Sequence, residues 1–272
     1  MTDINILSEQ EIKQNLLDCY KNFDIKIFDI LSSTNDFAKE LINSNTFKNG
    51  TTIIANSQTE GRGRFARKFY SPANTGIYFS SILKISLPIQ DVSLITIISA
   101  IAVCKAITKH TNLKPKIKWI NDIYLNNKKI CGILVENISD STNLKSKGIV
   151  VGIGINSSTE NFPKDIENKA GSIMYNKLSR NKLIAEIINN LFDLAKDVYD
   201  KKIIEEYKSL SLVLNKEITY TKNNKFYTAT AIDINNNGNL IVKDSNNNVI
   251  VLENEETSIN FATQNLTLNY QL

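Results

Sequence analysis

Apolar positions along the chain change period several times, and each change predicts an element. Residues 9 to 22 carry apolar side chains at helical spacing and predict a short amphipathic helix. Asp24 to Ile30 alternates and predicts a strand. Ser33-Thr34-Asn35-Asp36 has the composition of a helix start, with Phe37, Leu41 and Ile42 following on one face. Thr51 to Ala55 and Gly76 to Leu83 predict strands. Between them, Gln58 to Pro72 is polar and basic and predicts a loop. Val92 to Lys109 predicts a long helix buried on most sides. Lys116 to Trp119 and Asp122 to Leu125 predict short strands. Asn126-Asn127 marks a turn before a third strand, Lys129 to Glu136. Gly148 to Ile155 is nearly all apolar and suits a central strand. Arg180 to Tyr199 and Lys201 to Leu210 predict helices.

The pattern shifts to period two near Leu214, through Ile218 and Tyr220 and then Phe226, Thr228, Thr230 and Ile232. Turn signals at 235–239 and 244–248 divide this stretch into short strands. A small β-barrel or SH3-like module is expected there, with a boundary near residue 213. The predicted domains are therefore 1–213 and 214–272.

Composition narrows the class. The chain has 272 residues, 42% of them hydrophobic, which excludes a disordered chain. It carries 36 asparagines, which crowd into predicted turns. The net charge of +4 is a mild excess and does not by itself indicate nucleic acid. Cys19, Cys104 and Cys131 lack metal-ligand or redox spacing, so a reduced, cytoplasmic compartment is expected. The first residues show no signal-peptide pattern, and Leu94 to Ile107 is too short to span a bilayer, so no membrane association is expected. With one histidine, His110, any Ser-His triad would have to use that residue.

Four segments carry candidate chemistry. In Gly61-Arg62-Gly63-Arg64-Phe65-Ala66-Arg67-Lys68-Phe69, four cations fall within seven positions. Glycine lets backbone approach a ligand, and arginine binds phosphate bidentately. The segment lacks the Gly-Lys-Ser/Thr ending of a P-loop and is not a dinucleotide fingerprint. Taken alone it also fits a solvated basic loop or a loop that stacks RNA bases. The second segment is Lys118-Trp119-Ile120-Asn121-Asp122, followed by Lys129 and Gly132. Taken alone it also fits a hairpin with Trp119 in the core. The third, Gly152-Ile153-Gly154-Ile155-Asn156, has strand glycines of the kind that admit a close neighbour. The fourth, Ser33-Thr34-Asn35, also fits a plain helix N-cap.

In this order and spacing, with Gln58 ahead of the arginine loop, the segments resemble the biotin protein ligases over about residues 25 to 262. The resemblance implies an α+β fold, a mixed sheet with helices related to class II aminoacyl-tRNA synthetases, plus a C-terminal SH3-like barrel. It implies the substrates ATP and biotin, with Mg²⁺, and formation of biotinyl-5′-adenylate. Biotin would then pass to a lysine of the biotin carboxyl carrier protein of acetyl-CoA carboxylase. By position, Ser33, Thr34, Asn35 and Gln58 would hold the ureido end of biotin, beside Gly61, Arg62, Gly63, Arg64 and Gly132. Arg62, Arg64 and Arg67 would meet the phosphates, and Lys129 the biotin carboxylate and α-phosphate. Catalysis would rest on Lys129, Arg64 and Arg67. Phe69 and Asn156 would serve adenine, Asn121 and Asp122 the phosphate region, and Asp122 the metal.

The sequence departs from the family pattern at Ile120, where proline is usual, and at Phe65-Ala66. Some members carry an N-terminal helix-turn-helix that binds DNA. Only 32 residues precede Ser33 here, so a monofunctional type without operator binding is expected. A homodimer is compatible with the family. A lipoate ligase is the rival within the fold, and a non-enzymatic RNA-binding module is the rival outside it.

Overall fold

β-branched and alternating runs build the larger of two sheets. The computed structural model describes residues 6–85, 87–139, 146–222, 225–253 and 258–261. Its first strands are β1 (Ile25–Leu31), β2 (Thr52–Gln58), β3 (Gly76–Leu83), β4 (Lys116–Lys118), β5 (Asp122–Leu125), β6 (Lys128–Ser139) and β7 (Ser146–Asn156). They form a seven-stranded sheet in the order β1-β2-β3-β7-β6-β5-β4. The β1–β2 pair is parallel and the other pairs are antiparallel, so the sheet is mixed. The apolar run at 148–155 is its middle strand, β7.

The helices are α1 (Glu9–Asn15), α2 (Thr34–Asn43), α3 (Val92–Thr111), α4 (Arg180–Leu194) and α5 (Lys201–Leu210). Adjacent strand residues point to opposite faces. Ile53 and Val150 accordingly pack under Ala38 and Ile42 of α2, while Ile54 and Val151 pack into the larger core under α3 and α4. Helix α3 is the one helix among the described residues long and apolar enough to cross a bilayer, and most of it is buried in that core. It stops at Asn112, whose left-handed φ of 60° lets its N–H donate to Thr108 O.

Two predicted helices are shorter than expected, for tertiary reasons. The helix from residue 9 ends at Asn15, because Asn189 of α4 accepts from Leu17 N–H and donates to Asn15 O. A short 3-10 turn at Asp18–Tyr20 follows. The helix from Arg180 ends at Leu194 rather than Tyr199, and Asp200 opens α5 by accepting from Lys202 N–H.

The second sheet comprises β8 (Glu217–Lys222), β9 (Lys225–Ile234), β10 (Leu240–Lys243), β11 (Val249–Leu252) and β12 (Ser258–Phe261). It is antiparallel, in the order β11-β10-β9-β8-β12. The apolar alternation at Phe226 and Ile232 marks the outer face of β9, with Phe226 81% exposed. Ala229, Ala231 and Ile234 face inward instead, because Ala229 pairs with the buried Ile218.

The turn at 235–239 rests on the larger sheet's layer. Trp119 Nε1 donates to Gly238 O at 2.9 Å, and Ser93 Oγ donates to Asn237 O at 3.1 Å. Gly238 has φ +80°, and a Cβ there would lie 2.4 Å from Ile97 Cδ1. Only glycine meets both conditions without displacement. The inward residues of the second sheet join the same apolar core as α3.

Candidate active site

A cavity of about 510 Å³ opens between the N-terminus of α2, the arginine loop and strands β5 to β7. It is within the size range of small-molecule sites. Ser33, Thr34, Asn35, Gln58, Arg62, Gly63, Arg64, Arg67, Phe69, Asn121, Asp122, Lys129, Gly132 and Asn156 all line it. Gly61 is buried beneath the loop, where a Cβ would lie 2.4 Å from Phe69 O.

One end of the cavity is a chain of polar groups. Ser33 caps α2 by accepting from Asp36 N–H at 3.4 Å. Gln58 Oε1 accepts from Thr34 N–H at 2.8 Å, and Gln58 Nε2 donates to Ser71 Oγ at 3.0 Å. Ser80 Oγ contacts Thr34 Oγ1 at 2.7 Å and Asn35 Oδ1 at 2.6 Å. Asn35 Nδ2 donates to Glu136 Oε2 at 2.8 Å. Asn35 is thus a buried bracket between α2 and the sheet as well as a lining residue.

The floor is β6 and β7. A Cβ on Gly154 would lie 2.6 Å from Phe69 Cε1, and one on Gly132 would lie 3.2 Å from Phe69 Cε2. The Phe69 ring therefore sits directly on two glycines, edge-on to Tyr78 at 6.3 Å. Lys129 Nζ lies 2.6 Å from Asp122 Oδ1, an ion pair on the cavity floor. Asn121 is locked into the sheet: its N–H₂ donates to Ile133 O, and its O accepts from Ile133 N–H. The Trp119–Ile120 peptide, where the family usually has proline, is cis. Asn156 Nδ2 donates to Gly171 O at 2.9 Å, which fixes the end of the segment that forms the far wall.

The arginine loop is a small hairpin. Gly63 N–H donates to Arg67 O, Phe69 N–H donates to Gly61 O, and Arg62 bridges Lys68. Its tip places Phe65 and Ala66 at φ 56°, a left-handed conformation that costs a non-glycine residue about 1–2 kcal/mol. The Phe65 ring lies 4.8 Å from the Arg64 guanidinium and 5.8 Å from that of Arg67. Its π face holds two like charges side by side, which explains an aromatic residue at this position. Arg64 Nη1 donates to Asn121 Oδ1 at 3.3 Å and ties the tip to the floor. Arg62 turns the other way, to Asp36 of α2 at 2.9 Å.

Burial pulls the Arg64 and Lys118 pKa values below their usual range, and the nearby Asp122 charge opposes the shift in both. Arg64 keeps its charge regardless, since guanidinium does not deprotonate in proteins. Burial pushes Tyr124 up to about 12. The Cys131 thiol is raised by complete burial and is inert. His110 lies away from the cavity, so no histidine base is available there. Among the described residues no cluster of three His, Cys, Asp or Glu side chains exists.

Sequence reasoning left several lining residues unassigned. Phe162, Asp165, Ile166 and Lys169 form the far wall, from a stretch that has no regular period. Lys129 N–H donates to Lys169 O, and Gly171 N–H donates to Lys129 O, so this wall holds the lysine's own backbone. Asn260 of β12 accepts from Lys118 Nζ at 3.3 Å at the rim, a contact no local pattern could announce.

Comparison with known proteins agrees with this geometry. Residues 27–156 match the biotin/lipoate A/B protein ligase family. The chain is 36% identical over 167 residues to the bifunctional ligase/repressor BirA of Bacillus subtilis, covering 61% of this chain and 51% of that protein. It is 26% identical over 129 residues to the biotin–[acetyl-CoA-carboxylase] ligase of Mycobacterium tuberculosis, covering 46% and 45% of the two. The chain spans about half the length of these curated relatives. In overall shape it resembles the biotin protein ligase of Aquifex aeolicus solved with biotin and ATP. The TM-score is 0.75 at 24% identity, over 88% of this chain and 99% of that one, a likeness of fold. All four motif segments fall within residues 27–156, the stretch that matches the biotin/lipoate A/B protein ligase family.

Proposed function

We propose that this chain is an ATP-dependent biotin protein ligase. The biotin carboxylate attacks the α-phosphorus of ATP, pyrophosphate leaves, and biotinyl-5′-adenylate stays in the cavity. A lysine amine of a biotin carboxyl carrier protein, such as that of acetyl-CoA carboxylase, then attacks the acyl carbon and AMP leaves. The observation that carries the reading is the convergence of Lys129, Arg64 and Arg67 on one glycine-floored cavity without a histidine or a reactive cysteine. The substrate carboxylate is itself the nucleophile, so the protein needs cations more than a base. Carboxylate meeting triphosphate is repulsive, and fixed positive charge offsets that repulsion most where charge grows in the transition state.

The polar end at Ser33, Thr34 and Gln58 offers donors and acceptors that suit a ureido ring, with loop backbone from Gly61 to Arg64 and Gly132 beside it. Lys129 then reaches the carboxylate and α-phosphate. Arg64 and Arg67 face the phosphates, Asn121 orients Arg64, and Phe69 and Asn156 flank the adenine. Asp122 is a carboxylate lining the cavity, an oxygen donor of the kind that suits a divalent cation. Mg²⁺ commonly takes one carboxylate together with substrate phosphates, so Asp122 would hold it. When bound, the ion neutralises phosphate charge.

The same reading takes residues 214–272 as an SH3-like module resting on a catalytic domain of 1–213. It places the protein in the cytoplasm, consistent with its free cysteines, and assigns it no DNA partner. A homodimer fits the family pattern. The test is pyrophosphate release from ATP with biotin, with lipoate or with neither. Release with biotin alone is expected. Release with lipoate only, or none with biotin, overturns the reading.

A further inference from the structure

The arginine loop crosses the cavity and is held at two points. At its tip, Arg64 Nη1 donates to Asn121 Oδ1 at 3.3 Å. At its root, Arg62 Nε lies 2.9 Å from Asp36 Oδ2. Asp36 is the third residue of α2, where its N–H donates to the capping Ser33 and the helix dipole favours a carboxylate. Its other oxygen, Oδ1, pairs with Lys39 Nζ at 2.8 Å. Lys39 also pairs with Glu136 Oε1 of β6 at 2.9 Å, and Glu136 Oε2 accepts from the buried Asn35. An unbroken line of ionic and hydrogen-bonded contacts thus runs from the sheet through α2 to the loop root.

The Arg62 guanidinium pairs with Asp36 of α2, whereas Lys129 pairs with Asp122 on the floor of the same cavity. Its partner is fixed on both sides, by the cap and by Lys39. The Asp36 and Lys39 side chains are 23% and 22% exposed, so the acceptor is better shielded than Arg62 at 53%.

We propose that the Arg62 side chain is a clasp rather than a phosphate ligand: through Asp36 it pins the root of the arginine loop to the first turn of α2. Asp36 is a positioning residue, and Lys39 with Glu136 holds it in register. The pinned hairpin keeps the Gly61–Gly63 backbone over Ser33 and Thr34, where biotin would lie on the ligase reading above. The clasp therefore acts on biotin affinity, not on the phosphate chemistry.

The deciding experiment is amide hydrogen exchange of the full chain without ligand, followed at the hydrogen-bonded amides of Gly63, Arg67 and Phe69. The chains compared are wild type, Asp36→Asn, Arg62→Gln and the double variant. Each single substitution is expected to speed loop exchange by about two- to five-fold at low salt, the range of a partly exposed ion pair. The double variant should be no faster than the quicker single variant, because both remove one contact. Unchanged exchange in the singles, or multiplied effects in the double, overturns the clasp. Arg62→Gln leaves α2 untouched, so it decides the matter should Asp36→Asn disturb the helix cap.

In turnover, Asp36→Asn should raise KM for biotin with kcat kept, and Asp36→Glu should restore it. A rise confined to KM for ATP on Arg62→Gln would mark Arg62 as a phosphate ligand and overturn the proposal. A wild-type chain with no biotin-dependent turnover would fail the ligase reading alone, while the exchange measurements would still decide the clasp.

Discussion

The floor and the strap of the cavity hold similar charges by different means. On the floor, Lys129 and Asp122 stand on paired strands, Asn121 is hydrogen-bonded to Ile133 of β6, and neighbouring glycines leave no slack around Phe69. The arginine loop has hydrogen bonds within its hairpin, a strained tip and side-chain tethers at Arg62 and Arg64. The floor gains its geometry from the sheet, whose hydrogen bonds persist whatever occupies the site. The loop's geometry depends on single polar contacts, each worth about a kcal/mol or less. On the proposed reading, Lys129 would meet the carboxylate from the sheet, while Arg64 and Arg67 would close over the phosphates from the strap.

Substitutions on the two sides should differ accordingly. The largest effect is expected from Lys129→Ala, which should slow biotin-dependent pyrophosphate release by about 100-fold or more, with circular dichroism unchanged. Near-normal turnover would remove its role and erase the contrast. Gly152→Ala comes next, because its Cβ would collide with the Asn35 amide. The overpacking should cost about 1–3 kcal/mol in denaturant unfolding. On the strap, Arg64→Ala should cost about tenfold in the same turnover assay, since one charge-assisted contact is lost and Arg67 remains. Ala66→Gly should relieve the left-handed tip and raise stability by about 1 kcal/mol or less, read as a small rise in Tm.

The smallest effect concerns pH. Burial holds Lys118 below its usual pKa of 10.5 in the folded chain. Between that lowered value and 10.5 the unfolded chain binds more protons, so this group adds stability as pH rises through the window. The unfolding midpoint of Lys118→Met relative to wild type should accordingly fall from about pH 7 to about pH 10. A constant difference would show that burial does not disfavour the charge.

Local pattern carried much of this arrangement. The strands of the floor were visible as β-branched runs, and the glycines of β7 correctly signalled close neighbours, which are Asn35 and Phe69. Seven asparagines, at 45, 74, 112, 126, 127, 215 and 247, have positive φ, in keeping with their crowding into turns. What escaped was non-local. The early end of α1 depends on Asn189, and the far wall at 162–169 has no period to read. The inward face of β9 is Ala229, Ala231 and Ile234, so the period-two alternation does not by itself tell which face is buried. The contacts of Asp36 with Arg62 and of Glu136 with Lys39 have no local signal, because each joins separate elements.

Trp119 has a practical consequence. It is the single tryptophan of the chain, 4% exposed, placed between Lys118 and Asn121 and bonded to the turn of the second sheet at Gly238. The molecule therefore contains its own optical reporter at the seam between its two sheets. If that seam loosens, the indole loses a hydrogen-bond acceptor and gains water, and its emission shifts to the red. The docking of the second sheet can thus be followed in the unlabelled protein.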